Sequence, residues 1–207
     1  MKNKRLFFLV LLLIVAVLLI SCSKNNEYTP RSMKREGIEP YKLSKKEKYL
    51  LRSFGMEGNS QIISFKAPKE AISMDINVYR LRDGQNWEII GGTGISIGKD
   101  RQPIDQLIGN LTMELRENYA IDFNVNVGGS SSFKTEEIIL DTEIMMSMKK
   151  FLQDYQMIEL DKEIPVALMV YTGDTSMRVF ILQDYFEPSK FEGMDLVQVV
   201  TLTFRAE

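Results

Sequence analysis

From Gln61 onward, apolar and polar residues alternate with a period of two. Ile72, Met74, Ile76 and Val78 are separated by Ser73, Asp75 and Asn77. Leu107, Gly109, Leu111, Met113 and Leu115 alternate with Ile108, Asn110, Thr112, Glu114 and Arg116, and Tyr119, Ile121, Phe123, Val125 and Val127 with Ala120, Asp122, Asn124 and Asn126. In a strand, successive side chains point to opposite faces, so this pattern predicts strands with one buried and one wetted side. With Arg116-Glu117-Asn118 as a three-residue loop, Asn118 at positive φ, Met113 faces Ile121 and Leu111 faces Phe123. Asn110 then meets Asn124 and Thr112 meets Asp122 on the wet face. A turn at Asp83-Gly84 sets Val78 against Ile89 and Arg80 against Trp87, and Trp87 is expected at the rim of the core as a cation–π partner of Arg80. A turn at Gly173-Asp174 sets Val170 against Met177 and Leu168 against Val179.

Further strands are expected at 61–66, 93–97, 134–140 and 196–204. The nearly all-apolar run 164–171 reads as a central strand covered on both faces. Residues 141–155 fit a helix or a strand equally. Only one segment has a clear period of 3.6. Ser44 and Glu47 form a capping box, Leu50, Leu51 and Phe54 share a side, and Gly55 supplies the stop. That apolar stripe is expected to rest on one end of the β domain. The fold expected is an all-β, antiparallel two-sheet sandwich with one short N-terminal helix. A closed β-barrel is the alternative.

The amino terminus follows another logic. Lys2, Lys4 and Arg5 precede an unbroken apolar run from Leu6 to Ile20. Fifteen residues fall short of the ~20 that a spanning helix needs, and the sequence of zones is that of a signal peptide. Leu19-Ile20-Ser21-Cys22 resembles the bacterial lipobox, although isoleucine before the serine is less usual there than alanine or serine. The resemblance implies cleavage before Cys22, a diacylglyceryl thioether on its sulfur, and an acyl chain such as palmitate on the new amino terminus. The product would be anchored to a cell membrane on its extracytoplasmic side. The expected organisation is a signal peptide at 1–21, a lipidated tether at 22–42, polar and interrupted by Pro30 and Pro40, and a helix-plus-sandwich domain at 43–207. With the lipobox, Lys48-Tyr49-Leu50-Leu51 makes the chain look like small lipoproteins of low-GC Gram-positive bacteria. That resemblance implies no activity.

Composition narrows the chemistry. Cys22 is the only cysteine and there is no histidine. The exported part therefore has no internal disulfide, no cysteine nucleophile, no histidine base and no histidine metal ligand. Charge is uneven: residues 23–54 hold nine basic and four acidic side chains, residues 55–207 fourteen and twenty-four. The basic stretch is expected to lie along an anionic bilayer while the acidic domain is pushed outward.

Catalytic motifs are hard to find. Ser130-Ser131-Ser132 after Gly128-Gly129 reads as a hairpin loop, and Gly91-Gly92-Thr93-Gly94 lacks the lysine and following helix of a phosphate cradle, so it reads as a bulge or bend. Asp100 and Asp105 flank Gln102 in a loop whose spacing matches no calcium-binding hand. Met145, Met146, Met148 and Met157 are expected to fill core gaps. The remaining candidate is an interaction face made of Asn110, Thr112, Asp122, Asn124 and Asn126, which can exchange hydrogen bonds with a glycan or a protein but carries no aromatic platform on this hairpin. The function expected is that of a non-enzymatic binding module of the cell envelope, without catalytic residues, metal, cofactor or nucleic-acid partner. Alternatives are a carrier of a small apolar ligand and a carboxylate-based hydrolase of wall polysaccharide.

Overall fold

The alternating segments fold into two antiparallel sheets of five strands each. In chain order the elements are β1 (Gly37–Pro40), α1 (Lys45–Ser53), β2 (Ser60–Lys66), β3 (Ser73–Arg82), β4 (Asn86–Ser96), β5 (Ile108–Leu115), β6 (Ile121–Asn126), β7 (Ser130–Lys134), β8 (Met146–Phe151), β9 (Ile164–Thr172) and β10 (Leu196–Arg205). The first sheet has the order β1-β2-β5-β6-β7 and the second β4-β3-β10-β9-β8. Neither closes into a barrel, so the molecule is an all-β sandwich. The computed structural model describes residues 33–98 and 104–206. The signal segment, Cys22, and Asp100 with Gln102 lie outside the described residues.

Between the sheets, Ile63, Phe65, Leu111, Met113, Phe123 and Val125 from one side meet Met74, Ile76, Val78, Val200, Leu202 and Phe204 from the other, all buried. Phe65 and Phe204 touch across the layers with ring centroids 6.0 Å apart. Each such side chain contributes about 1.5–3 kcal/mol by leaving water. Residues 31–207 contain this whole core and form one compact unit.

β9 is buried along its entire length, as a central strand should be. β10 and β8 pair with its two edges, which leaves no edge for a return strand. The hairpin expected at Gly173-Asp174 therefore does not form. Residues after Gly173 instead cross the outer face of the second sheet through two short 3₁₀ turns, Leu182–Phe186 and Pro188–Phe191. Phe180, Leu182, Tyr185 and Phe191 are buried there. This layer supplies the second cover that the apolar sequence of β9 requires.

The other two hairpins form with changed registers. β5 and β6 are joined by five residues rather than three, and Leu111 pairs with Val125 and Met113 with Phe123. The slip is an even number, so every side chain keeps its expected face. Positive φ falls on Tyr119 (63°), not Asn118. At Asp83-Gly84 the loop has three residues, with Asp83 and Gly84 both at positive φ (51° and 66°). Leu81, not Arg80, now opposes Trp87, and a bulge at Val78/Tyr79 restores the pattern beyond it. This odd slip puts Arg80 and Trp87 on opposite faces, so they make no cation–π pair. The indole N–H of Trp87 donates to the carbonyl of Tyr185 instead (3.0 Å). The ambiguous 141–155 segment contributes β8, a strand. Lys134 ends β7, so no strand runs on to Leu140, and Ser130-Ser131-Ser132 belongs to β7 rather than to a loop.

Two departures concern the amino-terminal side. Part of the presumed tether is a strand: β1 pairs with β2 over four residues, Ile38 is fully buried, and its backbone also bridges to Gln156. The capping box of α1 forms as expected, with Ser44 and Glu47 exchanging hydrogen bonds. Of its apolar stripe, however, only Leu51 is half-buried, and Leu50 and Phe54 are exposed. No residue of the helix is buried.

Candidate functional site

Strand alternation places the five predicted residues together on the outer face of the first sheet. Asn110 pairs with Asn126, Thr112 with Asn124, and Glu114 with Asp122. The rows extend across neighbouring strands: Glu39, Ser64, Asn110, Asn126 and Ser130 lie side by side, as do Ile62, Thr112, Asn124 and Ser132. Asn124 and Asn126 are exposed, and Asn110, Thr112 and Asp122 half-exposed. Ser64, in the same outward row, is buried, so the face opens from β5 towards β6.

The hydroxyls of Ser64 and Ser132 donate to the side-chain oxygens of Asn110 and Asn124 (2.8 and 2.5 Å). An amide held through its oxygen keeps its NH₂ group turned away from that contact, ready to donate. The face can thus offer a row of oriented N–H donors with hydroxyls between them. Its two ends are charged. At one, Arg116 donates to Glu114 (2.7 Å) and to Asp122 (2.6 Å), and these bonds raise the guanidinium pKa, Asp122 most. Glu114 and Asp122 stand together on this face, as the carboxylate pair of a hydrolase would. Acid and base roles need contrasting surroundings, whereas these two share one guanidinium.

At the other end lies an open concavity of about 620 Å³, lined by Lys34, Arg35, Glu39, Tyr41, Lys42 and Ser64 among others. Tyr41 follows β1, and its backbone N–H donates to Ile62 (2.8 Å). It is the aromatic residue that the β5–β6 hairpin lacks. The hydroxyl of Tyr41 donates to Glu47 (3.2 Å), joining this end of the face to α1. Sequence reasoning missed Tyr41, Glu39 and Ser64 as neighbours of the amides because β1 was hidden in a polar, proline-containing stretch. The signal available was Gly-Ile-Glu-Pro-Tyr itself, where Ile38 is inward and Glu39 and Tyr41 outward.

A second polar cluster belongs to the covered sheet. The Glu163 carboxylate accepts from the hydroxyls of Tyr79 (2.5 Å) and Tyr185 (2.6 Å), with Thr201 further off (3.4 Å). Burial, followed by the bond to Glu163, pushes the Tyr79 phenol up to about 12 and raises that of Tyr185 further. The Tyr185 ring lies tilted against Trp87, with centroids 5.1 Å apart. These contacts clamp the 3₁₀ layer onto the sheet, and the cluster is structural.

The remaining sequence candidates fall elsewhere. Gly91, Gly92 and Gly94 lie within β4 beside the bulge, where a Cβ on Gly92 would stand 2.6 Å from the Ile76 carbonyl. Asp105 is described, but its supposed partner Asp100 is not. Met148 packs against the core, while Met145, Met146 and Met157 are exposed, contrary to the gap-filling role expected of them. Among the described residues no helix is long and apolar enough to cross a membrane. Comparison with protein-family models, with curated proteins and with solved structures gave no match to this chain.

Proposed function

We propose that this protein is a non-enzymatic binding module of a bacterial envelope. It is anchored through lipid on Cys22, with the outer face of the first sheet as its binding surface. The observation that carries this reading is the unequal treatment of the two outer faces. The second sheet is roofed by aromatic side chains; the first is left open and lined by amides and hydroxyls. An uncovered sheet needs only solvating residues, and charges serve that purpose well. Aligned Asn, Ser and Thr with charges confined to the ends instead suit a partner of mixed donors and acceptors, such as a wall glycan or a polar protein surface.

The test uses the full lipidated protein in intact cells. A photo-crosslinking residue at position 124 should give a discrete adduct, and the same residue at position 183, on the opposite sheet's cover, should not. Adducts from both positions, or from neither, would remove the first-sheet face as the binding surface. Anchoring is tested separately. Cys22→Ala should abolish lipid labelling and detergent-phase partitioning, and unchanged partitioning would show that the apolar segment itself is the anchor.

A further inference from the structure

The helix α1 presents apolar residues that the domain leaves uncovered. Its half-buried side carries Glu47 and Leu51, four residues apart and hence one above the other. The remaining side chains of the helix are exposed, including Tyr49 (69%) and Leu50 (54%), and so is Phe54 (76%) at its C-cap. Leu50 and Phe54 stack at i and i+4, a ridge that costs exposed apolar area without stabilising the fold. The turn that follows is equally open: a Cβ on Gly55 or Gly58 would meet nothing within 4 Å. The helix thus leaves most of its circumference to solvent.

Charge identifies the occupant of this ridge. Lys45, Lys46 and Lys48 are exposed on the same helix. The charge of Arg52 is met by Glu57, which accepts two bonds from its guanidinium (2.6 and 3.0 Å). Glu47, the only acid in the helix, is drawn inward by the backbone of Ser44 and the hydroxyl of Tyr41. The exposed positions of the helix thus carry aromatic, aliphatic and basic residues, and the one exposed acid beside them, Glu57, is held by Arg52. The rest of the domain, from residue 55, carries an excess of acids and would be repelled by the surface that attracts the helix.

We infer that α1 is a membrane foot, lying on an anionic lipid surface with Leu50 and Phe54 inserted among the headgroups, Lys46 beside them over lipid phosphates, and Lys45 and Lys48 on the farther flanks adding to the attraction through the surface potential. Tyr49 suits the headgroup level, with an apolar ring and a polar tip. The inference does not depend on lipid at Cys22, because the helix would supply its own attraction.

Residues 31–207, which hold the entire core, provide the test without any acyl chain. Sedimentation with vesicles of phosphatidylglycerol and phosphatidylcholine should show binding at low salt that is lost as salt rises, and vesicles of phosphatidylcholine alone should bind far less. Lys45→Gln, Lys46→Gln and Lys48→Gln together should weaken binding roughly 100-fold, about five-fold per charge. Leu50→Ser with Phe54→Ser should also release the protein while leaving circular dichroism and thermal stability unchanged, since both side chains are exposed. Failure of the unaltered fragment to bind anionic vesicles overturns the inference. So does undiminished binding by either variant: the lysine set would then not hold the phosphates, or the ridge would not be inserted.

Discussion

The two sheets share one core and differ in what lies on their backs. The second sheet is apolar on both faces at β9, and residues 175–194 fold over it. The first alternates in β5 and β6, whose outward residues are all half-exposed or exposed. The difference traces to sequence: a strand with two apolar faces demands a third layer, whereas an alternating strand demands none. A cover stabilises but conceals. The first sheet, stabilised on its inner side alone, is free to present side chains.

The comparison is most easily broken in the interior. Phe123 is buried and stacked on Phe133 with centroids 4.4 Å apart, and Phe123→Ala should cost about 3–5 kcal/mol in urea unfolding. Phe191→Ala, in the roof of the second sheet, should cost a similar amount because that residue is equally enclosed. A loss below about 1 kcal/mol would mean that the roof is an ornament on the sheet rather than part of the core. A smaller loss is expected from Tyr185→Phe, which removes one of the hydroxyls on Glu163; about 1–2 kcal/mol fits a charge-assisted bond with partners remaining.

Alkaline pH offers a graded version of the same test. Tyr79 and Tyr171 are each raised to about 12 from the ordinary value of 10.0, by burial first, then by Glu163 and Tyr119 respectively. Below pH 10 both are protonated folded or unfolded, and their contribution is intact. Above it the unfolded chain gives up protons that the native state retains, so stability falls between about pH 10 and about 12. Denaturation midpoints measured across this window should decline, and Tyr171→Phe should make the decline shallower. A flat profile would show that these phenols are solvated. The smallest effect belongs to the open face: Asn124→Ala should change stability by less than about 1 kcal/mol. Equal costs at positions 123 and 124 would mean that the two faces of β6 are not distinct.

The parity of side chains was legible from sequence, but the pairing partners were legible only in part. At β5–β6 the loop length was misjudged by two residues, which is harmless to faces, so the amide cluster survived intact. At β3–β4 an error of one residue exchanged faces and invented a contact between Arg80 and Trp87. The pattern after Gly173 fails for a different reason. Met177 and Val179 alternate with Ser176 and Arg178, but Phe180 breaks the alternation before Ile181 and is the residue that is buried; the edges of β9 are taken by strands distant in sequence, and no local pattern announces that. Helix α1 shows the opposite limit. Its cap was fully written in Ser44 and Glu47, but whether its apolar side finds protein depends on what the rest of the chain leaves uncovered.

The position of β10 has a consequence for how the chain is born. Among the described strands it is the last to be synthesised, yet it sits in the middle of the second sheet, hydrogen-bonded to β3 on one edge and β9 on the other. Until Leu196–Arg205 has emerged, β3 and β9 have no shared partner and the apolar inner face of the first sheet has nothing complete to close upon. Long-range pairing of this kind is slow to form. The core therefore cannot lock before Leu196–Arg205 has been released from the ribosome.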